Sequence, residues 1–281
     1  MIQQIEALNY RSLRYVSQAR SPFQILVGPN ASGKSTFLDV VALLSDFVQD
    51  GLTGALLFNL ENGRGRASRL DELIFNHCSD HLELAIELAV PDGLRSSHQH
   101  GDWQPDTARY EVAFGFEQRG ELEIRSETLW LIDSQGNQPQ PRLQKNQPDF
   151  FPTEVQPPST LLTETQPPPG WQAVVKKQPG GRDYFQAETS SWNMAFRVGP
   201  QKAALAGVPE DQDRFPITIW VRDFLRSSIR LLALNLCRPF IVGKCSSLRI
   251  RHCFWAWLNH NNCFVLRKIL QPVRTRFALY S

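Results

Sequence analysis

The hydrophobic pattern along the chain changes period near residue 28. Up to Val27 the apolar residues come in short runs with strand character. Ile2, Ile5 and Leu8 lie in a first candidate strand, Tyr15 and Val16 in a second, and Phe23 to Val27 in a third. Tyr10-Arg11-Ser12-Leu13 makes the connection between the first two. From Ser35 to Val48 the apolar residues Phe37, Val40, Val41, Leu44, Phe47 and Val48 recur at three and four, which places them on one face of a helix. Gly51 to Leu60 reads as a second short helix, and Ser68 as a cap for a helical turn running through Phe75. The period then returns to two. Leu82, Leu84, Ile86, Leu88 and Val90 alternate with Glu83, Ala85, Glu87 and Ala89, the pattern of a strand buried on one face. Residues 110–117 and 121–132 alternate as well and are joined by Gln118-Arg119-Gly120, an antiparallel hairpin. Ala173 to Val175 and Tyr184-Phe185 are further short strands, and Ile217 to Leu234 has helical spacing.

Between the third strand and the first helix stands Gly28-Pro29-Asn30-Ala31-Ser32-Gly33-Lys34-Ser35-Thr36, a complete G-x-x-x-x-G-K-[ST] phosphate-binding loop. The pattern is specific because its context, a strand before and a helix after, is also present. Gly28 and Gly33 allow backbone angles and close approaches that a Cβ forbids. Successive amides make a nest for an anion, and the helix start adds unpaired N–H groups and the positive end of its dipole. Lys34 supplies a compact positive charge for β- and γ-phosphates, and the Ser35 hydroxyl suits one Mg²⁺ position. A polyphosphate with Mg²⁺ is therefore the expected ligand, and no Asn-Lys-x-Asp element for guanine is present, which leaves ATP.

Composition changes the picture at two places. Ten of the 19 prolines fall between Pro139 and Pro179, so residues 134–181 read as an extended surface excursion. After Asp223 there is no acid to the end of the chain, while ten Lys and Arg residues follow. The first 223 residues hold 20 basic and 28 acidic residues, a net of −8 hidden beneath the overall +2. Four of the five cysteines lie in that same tail, and no C-x-x-C pair indicates a zinc site. The change in composition at Cys237 reads as a shifted reading frame or a decayed C-terminus. The alternative is a basic tail binding nucleic acid, with Phe254, Trp255 and Trp257 set among Arg249, Arg251 and Arg267. The absence of a long apolar run makes a cytoplasmic protein with no membrane partner the default expectation.

The remaining candidates carry less. Asp133 ends the apolar run Leu129–Ile132, as a Mg²⁺-side acid would, but it belongs to a hairpin arm and is followed by a turn. His77 and His81 stand four apart with no third ligand, and Arg64 and Arg66 lie in a Gly-containing basic loop.

The string VGPNASGKST, the preceding NYRSL and the following FLDVVALLSD resemble ABC-type ATPases of the SMC/RecF-like branch, and look closest to AAA family ATPases with a split head. Gln201 to Leu225 is similar to the connecting region of those proteins. The resemblance implies a mixed α/β (α+β) fold with a P-loop NTPase core and an antiparallel β lobe, the C-terminal half being incomplete. It covers residues 1–235, with 236–281 as an atypical tail. It implies that Gly28, Asn30, Ser32, Gly33, Lys34, Ser35 and Thr36 hold the phosphates and Mg²⁺, and that Arg11 lies near the nucleotide. It also implies ATP hydrolysis coupled to dimerisation with a second head. The signature segment, the strand ending Asp-Glu and the switch histidine of such heads are not found in this sequence, so nucleotide binding is expected to outlast hydrolysis. The other reading is a non-catalytic fragment.

Overall fold

A computed structural model describes residues 2–19, 25–28, 30–57, 66–95, 103–116, 121–134, 156–163, 167–177, 183–227 and 264–265. Their fold is mixed α and β. Strands β1 (Ile2–Tyr10), β2 (Leu13–Ala19) and β3 (Ile25–Leu26) precede helix α1 (Lys34–Leu56). Strand β4 (His81–Ala89), the short helix α2 (Asp92–Arg95), β5 (Thr107–Phe116), β6 (Leu122–Ile132), β7 (Trp171–Lys177), β8 (Asp183–Gln186) and β9 (Asn193–Phe196) follow. Helix α3 (Pro216–Ser227) comes after them, then β10 (Phe264–Val265). Eight strands form one sheet in the order β2-β1-β4-β5-β6-β7-β8-β9, each pair antiparallel.

The period-two segments become strands because one face meets a helix. Leu82, Leu84, Ile86 and Leu88 of β4 are buried beneath α1, whose Phe47 meets Phe114 of β5 edge-on at 4.8 Å. The opposite face is also buried, which the alternation alone does not predict. Arg109 there contacts the carboxylates of Glu6, Glu87 and Glu111, and all of Glu6, Glu83 and Glu111 are buried. The cover comes from the proline-rich segment. Thr160 Oγ1 and the Leu161 amide donate to Glu83, the Thr163 amide and hydroxyl donate to Glu111, and Arg109 donates to the Leu161 carbonyl. Part of the expected surface excursion therefore closes over the sheet, because buried carboxylates require donors.

Two expectations about helices change. The second short helix is a continuation of α1 across a kink at Gly51 (φ 78°, ψ −175°), and the Leu52 amide donates to the Gln201 carbonyl at 2.7 Å. The turn after Ser68 is 3₁₀ (Leu70–Leu73), with Arg69 at its N-cap and no side-chain cap. Ser68 donates its amide to Glu72 instead. The strand before the phosphate loop, β3, pairs with β10 in a separate two-stranded sheet, not with the main one. The hairpin 110–132 and strands β7 and β8 stand as predicted, β9 was not anticipated, and α3 is described as far as Ser227.

Candidate nucleotide-binding site

The phosphate loop is built by its glycines. Gly33 caps α1 with φ 83°, and a Cβ there would stand 3.0 Å from Cδ2 of Leu13. Only glycine reconciles that left-handed angle with the hairpin packed against it. At Gly28 a Cβ would fall 2.8 Å from the Ser32 hydroxyl, so the loop closes on itself at the point where a ligand would enter. Ala31 also has a positive φ of 64°. The first intrahelical bond runs from the Phe37 amide to the Gly33 carbonyl, so the amides of Lys34 to Thr36 belong to the orphan turn at the positive end of the dipole.

Lys34 folds back across this loop. Its Nζ donates to the Gly28 carbonyl at 2.7 Å and to the Ser32 hydroxyl at 3.1 Å. The ammonium is thus held between Gly28 and Ser32, where a phosphate oxygen would meet both it and the loop amides. Ser35 is exposed next to it, and Thr36 accepts from the Ser12 hydroxyl at 3.0 Å. These residues fit a polyphosphate, and Ser35 fits one Mg²⁺ position. Among the described residues no cluster of three or more His, Cys, Asp or Glu side chains is arranged to hold a metal by itself.

The β1–β2 turn forms the wall beside the loop. Arg11 and Ser12 make a two-residue turn between the paired Tyr10 and Leu13, with Arg11 at φ 50°. Its amide donates to the Leu73 carbonyl, and its guanidinium meets Oδ2 of Asp39 at 3.1 Å. Asp39 is the hub that sequence reasoning missed. It also accepts from the Tyr10 hydroxyl at 2.5 Å and from Nε of Arg66 at 2.9 Å. Arg66 in turn bonds the Ala55 carbonyl and pairs with Asp46. Burial first, and then Asp39, push the Tyr10 hydroxyl well above its ordinary range, so it remains a donor. Burial opposes the charge on Arg66, but Asp39 and then Asp46 outweigh it and hold its pKa up. The only signal in the sequence was an acid interrupting the apolar helix, one turn after Ser35.

The other candidates disperse. Asp133 is buried and accepts from the Gln104 amide at 3.1 Å. Leu8, Glu83, Ala113 and Ser126 share one level across the sheet. Asp133 lies seven residues from that level in one direction and Tyr10 two in the other, about nine strand steps or roughly 30 Å. Asp133 is therefore at the opposite end of the sheet from the loop. His77 sits in a 3₁₀ turn (φ 51°) and His81 on β4, so they do not share a helix face. His81 bonds Asp80 at 2.7 Å and Glu83 at 3.2 Å. Pro29, Arg64 and the tail from Ser228, its backbone at 264–265 apart, lie outside the described residues.

Comparison with known proteins agrees with the loop. Residues 23–133 match the family described as "AAA domain, putative AbiEii toxin, Type IV TA system", a stretch that is less than half of the chain. Among solved structures, the SMC head bound to the C-terminal winged-helix domain of ScpA is similar at 21% identity and a TM-score of 0.30. That match covers 44% of this chain and 35% of the SMC chain, so this chain spans about a third of the length of that protein. No curated protein matches. No helix among the described residues is long and apolar enough to cross a membrane. Residues 23–133, which carry the complete phosphate-loop pattern, are thus similar to that AAA domain family.

Proposed function

We propose that this chain binds ATP with Mg²⁺ at residues 28–36. The observation that carries the reading is the Lys34 ammonium, held 2.7 Å from the Gly28 carbonyl inside a loop that opens directly into α1. When ATP enters, its β- and γ-phosphates take up the Lys34 charge, the amides of residues 31–36 and the helix dipole, while the Ser35 hydroxyl meets Mg²⁺. Bound Mg²⁺ supplies charge neutralisation between the phosphates. Arg11, on the turn whose Ser12 bonds Thr36, would lie beside the bound phosphates.

Hydrolysis requires a further acid and a residue to position water. Asp133 stands about 30 Å away by strand spacing, and Asp39 is committed to Tyr10, Arg11 and Arg66. The chain therefore acts as a nucleotide-binding half-site. A second ATPase head, in a homodimer, completes hydrolysis in intact relatives, and nucleic acid is the candidate partner for the basic tail.

Titration calorimetry with Mg-ATP tests the reading. Lys34→Ala removes charge-assisted bonds worth about 1.5 to 3 kcal/mol, about 10- to 150-fold in affinity. Equal affinity in the wild type and the variant refutes it. Measurable turnover by the chain alone refutes the half-site.

A further inference from the structure

We infer that Asp39 is a positioning residue that controls how much of the Arg11 charge is available to a bound nucleotide. The inference rests on the reading of residues 28–36 as an ATP site. Asp39 lies four residues after Ser35 on α1, on the same helix face and about 6 Å along the axis. Its carboxylate accepts from three groups at once: Tyr10 Oη at 2.5 Å, Arg66 Nε at 2.9 Å and Arg11 Nη1 at 3.1 Å.

The three partners are not equivalent. Arg66 is deeply set, with its side chain 10% exposed, and is fixed further by the Ala55 carbonyl and Asp46. Tyr10 is fully buried. Arg11 is 38% exposed, and its bond to Asp39 is the longest of the three. Its main chain is fixed at the turn beside Thr36 through Ser12, while its guanidinium has, besides Asp39, a long 3.4 Å bond from Nη2 to the Arg66 carbonyl, so the side chain is free to swing while the Cα stays. A triphosphate arriving one helical turn away brings several negative charges that compete with a single carboxylate for this cation. Arg11 then moves to the anion, while Tyr10 and Arg66 continue to satisfy Asp39. The carboxylate thus holds Arg11 in reserve and lowers the apparent affinity by the strength of that hold.

A double-mutant cycle tests this. Asp39→Asn keeps the shape and one acceptor oxygen for Arg66 and removes the competing charge. It is expected to tighten Mg-ATP binding by about 3- to 10-fold at low salt, and the gain shrinks in 0.5 M salt. Arg11→Ala abolishes the gain, so the double variant binds no better than Arg11→Ala alone. A merely structural role for Asp39 predicts weaker binding that adds to the effect of Arg11→Ala, and that result overturns the inference. The wild type supplies a second readout that needs no Asp39 variant. Its arginine side-chain NMR signals, assigned through Arg11→Lys and Arg66→Lys, should show Arg11 shifting on addition of a nonhydrolysable ATP analogue while Arg66 stays. An unmoved Arg11 signal under saturating analogue overturns the inference even if the ATP site stands. Failure of the wild type to bind Mg-ATP at all removes the site itself and the inference with it.

Discussion

Glu127 is a buried carboxylate that fixes the turn at 204–205, which packs against α1. It is fully buried in β6 and accepts from the Tyr110 hydroxyl at 2.8 Å, the Ala204 amide at 2.6 Å and the Leu205 amide at 2.8 Å. Those two amides open the short 3₁₀ turn Leu205–Gly207, which packs on α1 and α3. Glu127→Ala leaves three buried donors without an acceptor, at about 1 to 3 kcal/mol each. Removing a buried charge recovers part of that, which brings the net cost to about 3 to 5 kcal/mol. Glu127→Gln keeps the volume and one acceptor but turns an amide N–H₂ toward a backbone donor, and should cost about 1 to 3 kcal/mol. In urea, with a slope of about 2 kcal/mol/M, the alanine variant shifts the tryptophan-fluorescence midpoint down by about 1.5 to 2.5 M. Burial raises the Glu127 pKa despite the bonds from Leu205, Ala204 and Tyr110. A raised folded pKa contributes stability that is present below the ordinary value of 4.5 and lost as pH rises through the folded value. The deficit of the glutamine variant relative to wild type should therefore shrink as pH rises above 4.5. An alanine variant costing under about 1 kcal/mol, or glutamine as damaging as alanine, would refute the account of Glu127 as the acceptor for the 204–205 turn.

Two further outcomes follow from the fold. Gly51→Ala puts a Cβ 2.6 Å from the Gln201 carbonyl at a φ of 78°, so it should cost about 2 kcal/mol or more, read as a lowered denaturation midpoint; an unchanged midpoint would mean that α1 has no such kink. His81 is held above its ordinary pKa foremost by its bond to Glu83, with burial opposing and Asp80 adding. Its contribution is full below the ordinary pKa of 6.5 and is lost as pH rises through the raised value. The stability gap between wild type and His81→Gln should narrow as pH rises above 6.5, and a constant gap would sink the assignment.

The loop and the strands were legible because they depend on local rules: a glycine pattern, and periods of 2 and 3.6. The two carboxylate systems were not. Nothing near Glu83 or Glu111 announces that residues 160–163 will return to cover them, since the partners lie about fifty to eighty positions away in the chain. Asp39 reads in sequence as a solvated helix position. It becomes a hub only once Tyr10 and Arg66 reach it from separate segments. Asp133 is the opposite case: its hairpin arm and following turn already argued in sequence against a Mg²⁺-side acid, although an acid after an apolar run carries no record of which end of the sheet it will occupy.

The strand order has a consequence for how the molecule comes into being. From β4 to β9 each strand pairs with its neighbour in sequence, so each pairing closes a loop bounded by adjacent strands. Within that sheet only the β1–β4 pairing spans the phosphate loop and α1, as the β3–β10 pair of the second sheet also does. Pairings between successive strands carry a low loop-closure cost and form quickly. During synthesis the sheet can zip from β4 onward as each strand emerges, and its ladder is complete once Phe196 is free of the ribosome. The phosphate loop, drawn over the main sheet by α1, is then seated on a scaffold whose ladder is built before β10 arrives to pair with β3.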